Sequence, residues 1–276
     1  MTDQFKSNTV NVLGIAVDPL HMESALEHVV YALSQRRKGY ACMIGVHGIM
    51  EAQRDPKLAQ IYARSTLAVP DGMPTVWLGR SQGFHQMQRV TGPDLMLEIF
   101  RRPEFAHCTH FLYGGKEGVA DELRESFSKR FPWAQIVGTY TPPFRDLTEE
   151  EEESVAAQIQ SLNPNILWVG ISTPKQERFM MRLLPLVEST LMFGVGAAFD
   201  FHTGRIKDAP NWIKRAGLQW LHRLLQDPRR LFWRYLRNNS TFCWDIAMQL
   251  TGIRSYPRSE IDRTFASRPR AACDRS

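Results

Sequence analysis

Short unbroken apolar runs alternate along this chain with stretches in which apolar residues return every three or four positions. The runs "ACMIGVH" (41–47), "STLAVPDG" (65–72), "HFLYGG" (110–115), "QIVGTY" (135–140), "NILWVGIS" (165–172) and "STLMFGVGAAF" (189–199) predict buried strands. They are β-branched or aromatic, and polar residues or glycine end them. Residues 21–37, 48–64, 92–102, 117–130, 149–161 and 175–187 carry the helical period between them. Strand and helix alternating in this way predict an α/β fold with a parallel sheet built from βαβ units. Ligands of such sheets collect beyond the carboxyl ends of the strands. His47, Asp71, the Gly114-Gly115 pair, Ser172-Thr173-Pro174 and Asp200 fall at those ends.

Past residue 209 the pattern changes. Residues 209–244 hold four of the seven tryptophans. Ile213, Trp220, Leu221, Leu224 and Leu225 share one helical stripe, while Lys214, Arg215 and Arg223 take other faces. After Asp227-Pro228, a natural helix start, Arg230, Arg234 and Arg237 recur opposite Leu231, Tyr235 and Leu236. The overall charge of +5 hides an asymmetry. Residues 210–276 carry 13 Lys+Arg against 5 Asp+Glu, a net of +8, and the other 209 residues carry 21 against 24, a net of −3. An anionic partner is therefore expected at the tail. A basic segment with interfacial aromatics suits an anionic membrane surface. Its other readings are single-stranded nucleic acid binding and plain packing of two amphipathic helices on the core.

Composition narrows the class further. With 43% hydrophobic and 23% charged residues the chain is that of a folded protein with a sizeable core. No apolar stretch approaches the 18 residues of a membrane span, and "MTDQFKSNTV" lacks the pattern of a secretory signal. Cys42, Cys108, Cys243 and Cys273 form no CxxC pair, so reduced thiols in a cytosol are expected rather than a disulfide framework or a zinc site. The acid run "TEEEEES" reads as the first turn of a helix, set against the positive end of its dipole.

Three strand ends could carry chemistry. Pro70-Asp71-Gly72 is a competent turn in its own right. "FLYGGKEGVADEL" (111–123) joins a strand, a glycine pair and a helix start, an arrangement that can cradle an anion or simply turn the chain. It is neither GxGxxG nor GxxxxGK[ST]. "VGISTPKQE" (169–177) repeats that logic, with Thr173 as N-cap, Pro174 in the first turn, and Lys175 and Gln176 directed at the same edge.

Taken together, "PDGMP", "RVTGPDLM" (89–96), "FLYGGKEGVA", "VGISTPKQE", "GVGAAFDFHTGRIKDAPNWI" (194–213) and "GLQWLHRLLQDPRRLFWRYL" (217–236) resemble, in order, the WecG/TagA/CpsF glycosyltransferases of bacterial surface polysaccharide synthesis. The resemblance runs from about residue 10 to about residue 240, leaving 241–276 outside it. It implies a Rossmann-like core and an inverting transferase that needs neither metal nor cofactor. Its donor would be a UDP-sugar and its acceptor a sugar on polyprenyl diphosphate, met peripherally at the cytoplasmic face of the inner membrane. It makes Asp71 the general base. It assigns Gly114, Gly115, Pro174, Lys175 and Gln176 to the nucleotide-sugar, and Arg229, Arg230 and Arg234 to the leaving diphosphate, with Arg230 catalytic. His47, Asp94 and Asp200 are further candidates for sugar or acceptor contacts. Met43 and Gly45 stand where such proteins commonly carry Thr-x-Asn, which leaves the donor sugar open among N-acetylmannosamine, its uronic acid and glucose.

These readings divide the chain into a catalytic α/β domain (1–208) and a basic, membrane-facing helical appendage (209–276). No nucleic acid partner is expected, and a homo-oligomer stays open. The alternatives are a nicotinamide-dependent oxidoreductase, which would want GxGxxG followed by an acid, and a non-enzymatic module using the tail on nucleic acid.

Overall fold

The computed structural model describes residues 9–258; residues 259–276, the end of the expected appendage, and Cys273 lie outside the described residues. The strands are β1 (Val10–Val12), β2 (Ile15–Val17), β3 (Gly39–Ile44), β4 (Leu67–Pro70), β5 (Thr109–Gly114), β6 (Gln135–Tyr140), β7 (Ile166–Gly170) and β8 (Leu191–Gly194). The helices of the first half are α1 (Met22–Ser34), α2 (Val46–Ala52), α3 (Pro56–Arg64), α4 (Met73–Ser81), α5 (Gly92–Arg101) and α6 (Val119–Arg130). Then come α7 (Glu149–Leu162), α8 (Lys175–Leu183), α9 (Ala198–His202), α10 (Asn211–Arg215), α11 (Gln219–Gln226) and α12 (Pro228–Leu250).

β3 to β8 form one six-stranded sheet in the order β4-β3-β8-β7-β5-β6, every pair parallel. This is the Rossmann-like α/β architecture expected, with helices on both faces. Successive residues of a central strand serve opposite faces. Ile166 and Trp168 of β7 enter one apolar cluster, while Leu167 and Val169 enter the other. Covering on both sides is what makes such strands read as unbroken apolar runs.

All six expected strands are present, and their limits differ mainly at the ends. The run 189–199 stops being a strand at Gly194, and Asp200 lies on α9 rather than at a strand end. The stretch 48–64 is two helices, because Asp55 accepts from the Lys57 amide and caps a second start at Pro56. The acid run does begin a helix: Thr148 and Glu151 form a reciprocal capping box on α7. The antiparallel β1–β2 hairpin and α4 are additions. Beyond the hairpin, Asp18 reaches the outer edge of β4, donating its amide to the Ala68 carbonyl and accepting the Ala68 amide on its carboxylate.

Among its described residues the tail forms three helices, and α12 is much longer than the stretch its arginines mark. Leu231 and Phe242 of α12 are buried, and Phe242 joins the core cluster below the sheet. Asn238, also buried, accepts two hydrogen bonds from the Arg54 guanidinium at 3.0 Å and donates to His47 Nδ1 at 2.9 Å.

Candidate active site

Asp71 is placed by local backbone chemistry. β4 is an edge strand, where a proline whose missing N–H faces outward costs the sheet no ladder bond. Pro70 ends it, and the Asp71 amide continues the ladder by donating to the Ile44 carbonyl at 3.1 Å. Gly72 has φ +145°, which a side chain would resist, and Pro74 then opens α4. Gly45 faces the same turn so closely that a Cβ there would stand 2.5 Å from the Asp71 carbonyl oxygen. The position expected to carry a polar side chain therefore has no room for one in this arrangement.

Asp71 lines a cavity of about 900 Å³ beyond the carboxyl ends of β3, β4 and β8. Desolvation raises its carboxyl to about 6, against the pull of Arg89 and with a push from Asp94. Arg89 is itself largely buried, bonds the Gln219 side chain of α11 and lies 3.9 Å from Asp94. Asp94 accepts from the Thr91 hydroxyl at 2.7 Å while Thr91 caps α5. The tail closes the cavity's other side with Lys214, Trp220, Arg223, Tyr235 and Asn238. Arg223 stacks 5.2 Å above the Phe201 ring, and burial lowers its otherwise very high pKa.

Several expected residues are in the cavity wall: His47, Asp71, Asp94 and Gln176. His47 belongs to the first turn of α2, takes the Asn238 hydrogen bond on Nδ1 and finds the Thr173 backbone as a further partner. Burial and Arg234 lower its pKa, so the ring stays neutral at pH 7. Gln176 is buried and clasps the turn after β8, donating to Gly194 and accepting from the Gly196 amide, both at 3.0 Å.

Others stand outside that wall. Gly114 and Gly115 serve the close approach of β5 to β7: a Cβ on Gly114 would meet the Gly170 carbonyl oxygen at 2.6 Å, and the Gly115 amide donates to that oxygen. Pro174 precedes α8, where Thr173 bonds the buried Glu177 carboxylate at 2.9 Å instead of capping the helix. Lys175 is exposed and paired with Asp146. Arg229 and Arg230 are exposed, and Arg230 pairs with Asp227. The Arg234 guanidinium lies over the Tyr235 ring, 5.3 Å from its centre, with a buried Nε that has no hydrogen-bond partner. Asp200 is near Arg223 but does not line the cavity. Sequence reasoning missed Arg89, Lys214 and Arg223 as site residues. Arg89 opens the "RVTGPDLM" motif, and Arg223 was visible as the cation turned off the apolar stripe.

A desolvated carboxylate sharing a cavity with arginines at the mouth of a parallel sheet is the arrangement of an α/β enzyme site. The chain belongs to the glycosyl transferase WecG/TagA/CpsF family, whose model matches residues 10–256, well past the 240 at which the quoted motifs run out. It is a glycosyltransferase of polysaccharide biosynthesis. It is 27% identical, over 77% of its length and 81% of the relative's, to an N-acetylglucosaminyldiphosphoundecaprenol N-acetyl-beta-D-mannosaminyltransferase of Bacillus subtilis. It is 28% identical, over 67% and 69%, to a protein of the same description from Bacillus spizizenii. This membership sets aside the oxidoreductase and the non-enzymatic alternatives. Among the described residues no helix is long and apolar enough to cross a membrane.

Proposed function

We propose that this enzyme transfers a hexosyl or N-acetylhexosaminyl group from a UDP-sugar to a sugar on undecaprenyl diphosphate, with inversion and without a metal. The observation that carries it is the desolvated Asp71 carboxylate sharing one cavity with Arg89 and Arg223. An acceptor hydroxyl is a weak nucleophile until a positioned base takes its proton as the new bond forms. Asp71 accepts that proton, the hydroxyl oxygen bonds the sugar's anomeric carbon, and the carbon–oxygen bond to UDP breaks on the opposite side. The departing UDP keeps the electron pair of the broken bond, so its diphosphate gains one negative charge, and fixed guanidinium groups in a desolvated site stabilise it. Arg223 and Arg89 take this role here, since Arg230 points away from the cavity and into an ion pair.

The exposed side of the tail supports peripheral binding to an anionic bilayer. Phe232, Trp233, Leu236 and Trp244 are exposed on α12 beside Arg229, Arg230 and Arg237. Aromatic side chains at headgroup depth with basic neighbours are the pattern of an interfacial helix. The test of the reading is product analysis by mass spectrometry, with a panel of UDP-sugars and N-acetylglucosamine-diphosphate on a lipid. A disaccharide-diphosphate lipid with at least one donor supports it; unchanged acceptor with every donor contradicts it.

A further inference from the structure

The cavity has more in it than a sugar and a diphosphate need. From α4, Met73, Pro74, Trp77, Leu78 and Ser81 line it, at the spacing of one helical stripe. That stripe starts two residues from Asp71 and runs away from it for about 12 Å at the helical rise. From α12 the stripe begins with polar Asn238 and Asn239, beside His47. It continues as Phe242, Cys243, Ile246, Ala247 and Leu250. The far ends of the two helices are tied to one atom: the Asn11 carbonyl oxygen accepts from Gln82, just past α4, at 2.8 Å and from Gln249 of α12 at 3.0 Å. The two stripes thus leave the polar end together and converge on the β1–β2 hairpin, making an arm with almost no hydrogen-bonding side chains. Its outer residues Trp77 and Leu250 are open to solvent, at 49% and 62% exposure.

We propose that this arm between α4 and the second half of α12 receives the first isoprene units of the lipid acceptor. The inference rests on the proposed reading for the identity of the lipid, and on the order of chemistry along one cavity for its place. Carboxylate and guanidinium groups sit at the inner end and a largely apolar passage leads outward, the order found in a sugar–diphosphate–prenyl molecule. Apolar walls gain from a branched hydrocarbon in proportion to the area removed from water, and a soluble sugar would leave them empty. The arm would also set the acceptor's direction, pointing the sugar hydroxyl at Asp71 while the rest of the chain passes out by Leu250 toward the bilayer.

The experiment uses the full chain and two soluble acceptors, N-acetylglucosamine-diphosphate esterified with farnesyl or with methyl. Two variants fill the arm from opposite walls, Ala247→Trp on α12 and Ser81→Trp on α4; both positions are exposed, so either substitution is tolerable to the fold. In the wild type the farnesyl acceptor should show the larger kcat/KM by at least about tenfold, and each variant should reduce that ratio about tenfold. Thermal shift with farnesyl diphosphate supplies a readout independent of transfer: it should raise the Tm of the wild type, and much less that of the variants, while UDP stabilises all three alike. Equal kcat/KM for both acceptors, or a farnesyl diphosphate shift undiminished in both variants, overturns the proposal. If no acceptor is glycosylated but the farnesyl diphosphate shift is present and lost in the variants, the arm stands and the transfer reading fails.

Discussion

Asp71 and the arginines around it show how much of this site depends on desolvation. A carboxylate at a strand end in water would titrate near 4 and make a feeble base. Here burial outweighs the attraction of Arg89 and lifts it to about 6, close to where a general base works best. The two tail arginines 223 and 230 separate the electrostatic roles. Arg223→Ala removes a cation that lines the cavity and should slow transfer by about 10²-fold, the usual effect of losing one such stabiliser. Arg230→Ala breaks only an exposed pair with Asp227, and kcat should stay within about twofold. Steady-state kinetics of the two purified variants decide this, and the reverse ranking would return the diphosphate to Arg230. Pro70 and Gly72 made the turn at Asp71 legible from three residues, while its role as a base came only from the resemblance of the motif. Arg223 was not legible as a site residue, because its approach to the cavity depends on where α11 packs.

At the scale of elements, the helix α12 is the piece that both closes the cavity and holds itself in place. The buried Asn238 side chain spends its oxygen on Arg54 and its amide on His47, so α12 and α2 are joined through one residue. Asn238→Ala takes away the hydrogen bond to the His47 imidazole and two of those made by the Arg54 guanidinium, which keeps Glu51 at 3.1 Å. It should cost about 1–3 kcal/mol in stability, measured by urea unfolding. A loss under about 0.5 kcal/mol would mean that water replaces Asn238 at no cost. The long sheet strands were readable because their apolar runs are buried on both faces. β1 and β2 were not, since three-residue strands joined by Leu13-Gly14 merge into one apolar run without a period. α4 escaped notice because its Pro74 and Gly79 sit inside nine residues and its apolar side chains divide between two surroundings, Val76 and Leu78 in the core and Met73, Pro74 and Trp77 along the cavity.

For the whole molecule, part of the tail's basic surplus, Arg229, Arg230 and Arg237, lies on the exposed side of α12, and its partner is expected to be the membrane that carries the acceptor. Trp233→Glu, at an exposed position of α12, should lower binding to vesicles containing phosphatidylglycerol without altering the melting temperature. Vesicle co-sedimentation at two salt concentrations checks it; unchanged, salt-independent partitioning would assign that surface to another partner. Transfer should also survive EDTA, because the cavity meets a diphosphate with Arg89, Lys214 and Arg223. Loss of activity on chelation, restored by Mg²⁺ or Mn²⁺, would give the charge-neutralising role to a cation instead. The division at residue 208 was drawn from composition, and we propose that it marks a functional boundary only: Lys214, Arg223 and Asn238 build the same cavity as Asp71.

The central claim is that Asp71, raised by burial, takes the acceptor's proton, and the pH dependence of kcat/KM in wild type and Asp71→Asn tests it most directly. A base must be deprotonated to act, so the wild-type rate should fall as pH drops through about 6 and reach about a tenth of its plateau by pH 5. Asp71→Asn should fold and bind UDP as before, lose about 10²–10⁴-fold in kcat/KM, and show no limb at that pH. Near-normal turnover in Asp71→Asn, or the same acid limb surviving in it, would contradict the account.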